Sequence, residues 1–359
     1  MNLKTTISEK IDENHWIKTL EAHPASTIYQ IPVWCKTYKE VFNSKPFFIE
    51  IKNQDEQIVG QLALLIHSNY FWEGTNKITK IFTSKTNLGK HIFWNYGPII
   101  HDNENFEEIF SKILDVVDEL AIKHKVSFIR GSTPPMMNQP SKTMLESYDY
   151  QLSMWSTYIT DLKSNTTDFF DSLNKSVRYD IRKAQKNKLE FVVGDDFSSL
   201  SEYGDMKYNA KSRSGHRKGK VPFFYEREWE NLHRHGFAKI FLSKHEQIPL
   251  SGILCLIFNQ NVVQHGAVNS PNTKLQGGTF VTWSGIKWCM ENGLKTFDMA
   301  GVNPNPSSKK EEQIDFFKSK WGGKKYDYFT FIKILDQKKA RISFALQDPK
   351  KILARINPT

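Results

Sequence analysis

The chain has 359 residues, of which 39% are apolar and 13% aromatic, so it is too apolar to be intrinsically disordered and too long for a single hydrophobic core. Its formal net charge of +10 favours an anionic partner, but only nine of the 49 basic residues are Arg, and this composition argues against a double-stranded DNA-binding protein. The polar N-terminus and the lack of an apolar run of about 18 residues argue against a secretory signal and a transmembrane helix, so we expect a cytoplasmic protein.

The first half of the chain predicts a hairpin, followed by a helix that leads into a strand. Two β-rich runs, residues 47–51 and 57–66, are separated by the polar turn 53–56. Residues 106–124 carry apolar side chains at helical spacing and precede the predicted strand 126–130. This half is therefore expected to form a sheet with a helix packed against it.

The second half repeats this order of elements with more strands. A strand at 156–162 precedes a helix at 167–188, and Gly293 marks the end of a helix that begins near residue 278. Antiparallel hairpins followed by a β-α-β unit predict a mixed α/β or α+β fold, and we place a domain boundary near residue 155. The remaining predicted elements are the strands 189–193, 238–243, 250–258, 262–268 and 294–299 and the helix 223–235.

No residue pattern predicts a metal site or a covalent nucleophile. Cys35, Cys255 and Cys289 stand far apart, and the sequence contains no CxxC, HExxH or GxSxG motif. We therefore expect no metal ion, no tightly bound cofactor and no acyl-enzyme intermediate.

The predicted helix 167–188 carries a basic row opposite its apolar face. Arg178, Arg182 and Lys186 follow one another at intervals of four residues. A row of this kind is commonly a solvated surface, whereas two Arg one turn apart also suit a diphosphate or a carboxylate. Both interpretations stay open at this point.

A second candidate site lies at the start of the predicted helix 278–292. Gln276, Gly277 and Gly278 precede this helix, and glycines let backbone N–H groups approach a phosphate at a helix N-terminus. Two glycines before a helix are also typical of a plain turn and cap. The pattern therefore predicts a phosphate site or a structural turn.

An acid and a lysine near the end of the second half form the third candidate. Asp298 ends a buried-looking strand beside a glycine-containing loop, and Lys318 lies between Phe317 and Trp321 on a short predicted helix. We expect the two aromatic residues to anchor the helix and the Lys318 ammonium to be free to reach a cleft. The alternative is a lysine that is merely exposed.

Taken together, several segments resemble the Fem family of peptidyltransferases, which join an amino acid from aminoacyl-tRNA to an amine of a cell-envelope peptide. The resemblance implies two tandem GNAT-like domains, each a mixed, mostly antiparallel sheet flanked by helices. It places an acceptor-side domain at 1–155, a second domain at 156–335 and a basic tail at 336–359. The similar segments are "QIPVW", "GPIIHD", "SVRYDIRKAQKNKLEFVV", "LQGGTFVTWSGIKWCMENGLKTFDMAGV" and "FFKSKWGG".

The resemblance also implies roles for individual residues. It makes Asp102 the acid of the acceptor pocket, with Trp94 and Tyr96 beside it, Arg178 the phosphate-binding arginine and Lys318 the catalytic lysine. The co-substrate is then aminoacyl-tRNA. Two alternatives stay open: an acyl-CoA-dependent N-acyltransferase acting on an amino sugar or surface-polysaccharide precursor, and a catalytically inactive GNAT-like binding module.

The C-terminal segment 334–359 alternates basic and apolar residues. One interpretation is peripheral contact with an anionic membrane at its inner face, where lipid-linked precursors reside. The other is a terminal helix packed on the second domain, which we favour. The expected partners are thus an anionic small-molecule or lipid-linked precursor and the acceptor end of a tRNA.

Overall fold

The structure is a computed structural model that describes residues 2–67, 89–163, 165–213, 223–271 and 274–347. It forms two compact units, one made of Met1–Met154 with Tyr328–Thr359 and the other of Trp155–Asp327. Each unit has a mixed sheet with helices, as the predicted fold class requires. The first unit is thus built from both ends of the chain.

The sheet of the first unit has the strand order β1-β2-β3-β4-β6-β13, with β5 paired to β3. All neighbouring strands are antiparallel except β4 and β6, which are parallel. Strands β7 and β13 each run across the boundary between the units. The strands are β1 (Lys4–Ser8), β2 (Lys45–Lys52), β3 (Ile58–His67), β4 (His91–Phe93), β5 (Ile99–Ile100), β6 (Phe128–Ser132), β7 (Gln151–Asp161) and β13 (Lys324–Ile334).

The helices of this unit pack on its sheet through apolar faces. In α3 (Phe106–His124) the side chains at helical spacing are buried with those of β2 and β3, and the helix has the bounds that the sequence predicts. It ends because Lys125 takes the left-handed conformation, φ 52°, that closes a helix. The helices are α1 (Glu13–Glu21), α2 (Pro32–Phe42), α3 (Phe106–His124), α4 (Lys142–Ser147) and α11 (Gln337–Gln347).

The sheet of the second unit has the order β7-β12-β11-β10-β9-β8. Its only parallel neighbours among the described strands are β11 and β12, and α9 connects them. The remaining pairs are antiparallel, including the predicted hairpin of β10 and β11. The elements are α5 (Thr166–Ser172), α6 (Lys175–Lys186), β8 (Glu190–Gly194), α7 (Phe197–Arg213), α8 (Phe223–His233), β9 (Ala238–His245), β10 (Ile248–Phe258), β11 (Asn261–Asn269), α9 (Gly277–Glu291), β12 (Thr296–Val302) and α10 (Lys309–Ser319).

The single helix predicted at 167–188 is wrong, because the chain forms the two helices α5 and α6. Leu173 is extended, with ψ 153°, and the side chain of Asn174 accepts a hydrogen bond from the Ser176 N–H. Asn174 therefore starts a new helix. The apolar spacing continues through the break, since Leu173 and Val177 are both buried.

The end of the chain differs from the predicted arrangement. Residues 328–335, assigned to the second domain from sequence, belong to the first unit. Helix α11 also packs on the first unit, where the Phe344 ring lies 5.1 Å from that of Phe128 and Ala340 is buried. The expectation that it packs on the second domain is wrong, because β13 returns the chain to β6. Residues 348–359 of the basic tail lie outside the described residues.

Within the ranges given above, no helix is both long enough and apolar enough to cross a bilayer.

Candidate active site

The parallel strands β11 and β12 separate within the second unit. They pair from Asn261 to Val263, opposite Thr296 to Asp298, whereas β11 runs on to Asn269 and β12 to Val302. Beyond Asp298, β12 is also irregular in its pairing with β7. In open sheets, ligands bind beyond the carboxyl ends of parallel strands, which makes this opening the candidate active site.

Lys318 lies on α10 and reaches β12. Its Nζ donates hydrogen bonds of 3.0 Å to the carbonyl oxygens of Ala300 and Gly301. Burial lowers the pKa of Lys318 to about 8, while the carboxylates of Asp298 and Asp315 act in the opposite direction. The ammonium is thus anchored by two carbonyl groups.

Two hydrogen bonds hold the Lys318 ammonium at β12, and its reach into a cleft stays a prediction. The irregular part of β12 directs two successive carbonyl oxygens at the side chain, and Ala300 has a positive φ of 61°. The predicted anchoring of the helix holds, because Trp321 is fully buried and its ring lies 5.9 Å from that of Phe317.

Asp298 lies on the same segment of β12. Its Oδ1 accepts hydrogen bonds from the Thr157 hydroxyl and, at 2.7 Å, from the Ala300 N–H. Burial raises the pKa of Asp298 to about 6, and the two hydrogen bonds and the Lys318 charge oppose this shift. Asp298 and Lys318 thus hold the backbone of Ala300 from its N–H and its carbonyl.

Gly277 and Gly278 form the first turn of α9, and Gln276 precedes it with a φ of 60°. A Cβ at residue 277 would lie 2.8 Å from Cβ of Leu250, and a Cβ at residue 278 would lie 2.7 Å from Oδ1 of Asn269. Close packing of the helix on β10 and β11 therefore accounts for both glycines. A donor phosphate at this N-terminus stays a prediction.

The two arginines of α6 differ in their surroundings. Nη1 of Arg178 lies 3.6 Å from Oδ1 of Asp171, and the arginine is 29% exposed. Its Nε is buried and has no hydrogen-bond partner among the described residues. Arg182 and Lys186 are exposed, and the Arg182 guanidinium lies 5.4 Å from the centre of the Phe170 ring. Of the two arginines on α6, only Arg178 has a partly buried guanidinium with an N–H that has no partner among the described residues.

The first unit contains a cavity of about 590 Å³ whose wall includes seven aromatic residues. It adjoins the parallel pair β4 and β6, and Arg130 contributes a cation to its wall. The Trp94 ring packs on Gly131, and its Nε1 donates a 3.0 Å hydrogen bond to the Gly97 carbonyl. Trp94 and Tyr96 thus share one site. The aromatic lining residues are Tyr29, Tyr38, Phe93, Trp94, Tyr96, Tyr328 and Phe331.

Asp102 does not line this cavity, contrary to the predicted grouping with Trp94 and Tyr96. Strand β5 lies between Tyr96 and Asp102 in the chain and pairs with β3. Asp102 therefore follows a different strand from the two aromatic residues. The Asp102 carboxylate accepts hydrogen bonds from the Asn105 side chain and from the N–H groups of Asn105 and Glu104, which together lower its pKa. It thus shapes the turn before α3.

The structure also joins two residues that sequence reasoning missed. Oε1 of the buried Glu228 lies 3.2 Å from Nε2 of His265. The residues belong to α8 and β11, and no local pattern predicts contact across that separation. The described residues contain no group of three or more His, Cys, Asp or Glu side chains arranged for a metal ion.

Comparison with protein families identifies a catalytic domain in the second half. Residues 171–309 match the family model described as acetyltransferase (GNAT) domain. The match includes Arg178, Gln276, Gly278 and Asp298 and ends before Lys318. No curated protein matches the sequence. Residues 171–309 thus form an acyltransferase domain of the GNAT type.

Comparison with solved structures confirms the predicted tandem GNAT-like fold and, at the level of the fold, the resemblance to the Fem family. The structure of FemX has a TM-score of 0.69 at 16% identity, covering 94% of this chain and 99% of that chain. A tandem GNAT protein from the clavulanic acid biosynthesis pathway has a TM-score of 0.55 at 10% identity, covering 92% and 98%. A conserved protein of unknown function from Bacteroides thetaiotaomicron has a TM-score of 0.53 at 8% identity, covering 92% and 100%.

Proposed function

We propose that this GNAT-type acyltransferase, whose fold is similar to that of FemX, transfers an aminoacyl group from aminoacyl-tRNA to an amine of a cell-envelope precursor. The observation that carries the proposal is the joint attachment of Lys318 and Asp298 to Ala300, where the parallel strands separate. The resemblance to the Fem family supports the aminoacyl donor and the envelope acceptor.

The geometry of Lys318 suits the stabilisation of an oxyanion. An ammonium group has three N–H donors, and two of those on Lys318 bind the carbonyls of Ala300 and Gly301. The third N–H therefore has a defined direction. It can donate to the oxygen that becomes negative when an amine attacks an ester, and a donor held before the reaction begins is most effective in this role.

The thiol groups support direct transfer without an acyl-enzyme. Cys35, Cys255 and Cys289 are buried. Burial raises the pKa of the Cys35 and Cys289 thiols to about 12 and raises that of Cys255 as well. A nucleophilic cysteine needs a thiolate, and these surroundings disfavour one. The amine is therefore proposed to attack the donor carbonyl itself.

An acyl-CoA donor is the second candidate. The match to the acetyltransferase (GNAT) domain favours it, and the N-terminus of α9 presents backbone N–H groups beside the separating strands. The acceptor in that case is the amine of an amino sugar or surface-polysaccharide precursor. A GNAT-like binding module without activity is the remaining alternative, and it predicts binding of an acceptor without transfer.

The acceptor is proposed to be anionic and lipid-linked. Arg178 supports this because a partly buried guanidinium with an unused N–H suits a diphosphate oxygen. Helix α11 exposes Lys338, Arg341 and Ile342, a combination that suits the surface of an anionic membrane. The enzyme is thus proposed to work at the inner face of the membrane.

A donor screen tests the proposed function. The protein is incubated with alanyl-tRNA or with acetyl-CoA and an amine acceptor, and the mass of the acceptor is measured. The proposal predicts an alanyl increment that depends on charged tRNA and is nearly abolished in Lys318→Met. An acetyl increment alone would establish the acyl-CoA alternative, and no increment with either donor would support the binding module.

A further inference from the structure

Gln264 lies at the position where β11 and β12 separate. It directly follows Val263, the last residue of β11 that pairs with β12, where the partner is Asp298. On the other side of β11, Gln264 pairs with Cys255 of β10. Among the described strands, Gln264 thus has a neighbour on β10 and none on β12. It therefore borders the opening that forms the candidate active site.

The side-chain oxygen of Gln264 is a buried hydrogen-bond acceptor. The residue is 7% exposed, and Oε1 accepts no hydrogen bond from the described residues. Buried polar groups in folded proteins are nearly always hydrogen-bonded, because an unpaired one destabilises the fold. An apolar side chain of similar size would avoid this loss of stability. A polar group that is kept at such a position is typical of a functional site.

The surroundings of this oxygen are apolar. Residues paired across antiparallel strands point to the same face of a sheet, so Gln264 faces the side on which Cys255 is buried. Cys255 belongs there to one buried cluster with Val281 of α9 and Met299 of β12. The carboxamide of Gln264 therefore interrupts an apolar face of the sheet, on the side that α9 covers.

The predicted donor site lies on the same side of the sheet. Helix α9 begins at Gly277, and its first turn presents backbone N–H groups to the predicted donor phosphate. Lys318, the proposed oxyanion donor, binds β12 beyond Asp298. A donor that is held at α9 and reacts beside Lys318 has to pass the opening between β11 and β12, where Gln264 lies.

We propose that Gln264 determines donor specificity, with its Oε1 accepting a hydrogen bond from the α-amino group of the aminoacyl ester. This inference rests on the proposed function and names the feature of the donor that the site selects. An α-amino group carries N–H donors whether it is neutral or protonated, whereas a simple acyl group has none at that carbon. A site built to bind an N–H rejects an analogue that lacks it, because the buried acceptor is then left unpaired.

Two donors that differ only in the amino group test this role. The tRNA is charged with alanine or with propionic acid, and kcat/KM for transfer to glucosamine is measured with each. Gln264→Met keeps the size of the side chain and removes the acceptor, so alanyl transfer should fall by about 10–100-fold while propionyl transfer stays within about two-fold. Gln260→Met, in the exposed turn of the same hairpin, is the matched control and should change neither rate.

Urea unfolding of the same variants distinguishes this role from a structural one. Gln264→Met removes a buried acceptor that has no partner among the described residues, so its free energy of unfolding should equal or exceed that of the parent protein. A lower free energy of unfolding in Gln264→Met would show that the carboxamide stabilises the fold, and it overturns the role in specificity. An equal fall in alanyl and propionyl transfer overturns it as well.

These two outcomes leave the proposed function in place, provided that the parent protein transfers alanine from tRNA. If the parent protein transfers no alanine from tRNA to glucosamine, the proposed function fails and the role of Gln264 fails with it.

Discussion

Lys318 and Ala300 are joined by a 3.0 Å hydrogen bond from the ammonium to the backbone carbonyl. The N–H of the same Ala300 donates to Asp298, and the residue has a φ of 61°. An acid and a base that lie twenty positions apart in the sequence therefore act on one peptide unit. Because both side chains bind Ala300, the charge of one influences the pKa of the other.

The pH dependence of transfer is expected to be bell-shaped. Asp298 has a pKa of about 6 and is required as a carboxylate, so activity is lost as the pH falls through about 6. Lys318 has a pKa of about 8 and is required as a cation, so activity is lost as the pH rises through about 8. Initial rates measured from pH 5 to pH 10 check both limbs.

Asp298→Asn tests the coupling between the two groups. The Asp298 carboxylate raises the pKa of Lys318, so its removal is expected to lower that pKa and to move the alkaline limb below about 8. Asp315→Asn should move it in the same direction by less, since Asp315 is the weaker of the two influences. If the alkaline limb of Asp298→Asn stays at the same pH as in the parent protein, Lys318 is not the group that causes this limb.

Arg178→Gln is expected to weaken binding of inorganic pyrophosphate. A hydrogen bond to a charged group contributes about 1.5–3 kcal/mol, so Kd should rise by about 10-fold or more at low salt, with a flatter salt dependence. Arg182→Gln should weaken binding by less, because Arg182 is exposed. Calorimetry measures both, and Lys186→Gln is the control one turn further along α6. Equal affinity in Arg178→Gln and in the parent protein would refute the assignment.

Asp102→Ala is expected to affect stability rather than acceptor binding. The carboxylate accepts hydrogen bonds from the N–H groups of Glu104 and Asn105, and their loss should cost about 1 kcal/mol of unfolding free energy. The KM for the acceptor should stay the same, whereas Tyr96→Ala, in the cavity wall, should raise it. A raised KM in Asp102→Ala with an unchanged free energy of unfolding would show that Asp102 binds the acceptor.

Buried histidines are expected to make the first unit sensitive to acid. Burial, with a contribution from the Arg130 charge, lowers the pKa of His67 from 6.5 to about 3. The unfolded chain therefore binds a proton more readily, so the stabilisation is complete above about pH 6.5 and is lost as the pH falls toward 3. The loss is about 1.4 kcal/mol for each pH unit in that window.

Urea unfolding at pH 6.5 and at pH 5 measures this effect. His67→Phe should reduce the difference in unfolding free energy between the two pH values by up to about 2 kcal/mol. The exposed His15 provides the control, since His15→Phe should leave the difference unchanged. If His67→Phe retains the full pH dependence, the proton uptake occurs elsewhere.

Local patterns in the sequence predict the regular elements of this fold well. The bounds of α3 follow from its apolar spacing, because one face of the helix is buried along its whole length. The break between α5 and α6 is missed because Leu173 and Val177 keep the same spacing on both sides of it. Apolar periodicity reports which side chains are buried, and it does not report a change of backbone direction between them.

The candidate site is only partly predictable for a related reason. Asp298 and Lys318 can be selected from sequence because each lies near the end of an element that the sequence predicts. Their contacts with Ala300 depend on an irregular strand, which apolar spacing does not reveal. Glu228 and His265, whose side chains lie 3.2 Å apart, are 37 positions apart in the sequence, so their contact becomes visible only in the structure.

The most direct test of the account is single-turnover transfer from alanyl-tRNA by Lys318→Met. Methionine keeps most of the side-chain length without the charge, so amide formation should slow by about 10²–10³ while donor and acceptor binding stay nearly unchanged. Lys320→Met is the matched control, because the Lys320 ammonium lies 3.8 Å from the centre of the Phe316 ring and has no contact with β12 among those described. Its rate should equal that of the parent protein. A rate within a few-fold of the parent in Lys318→Met, or an equal loss in Lys320→Met, would contradict the catalytic role of Lys318.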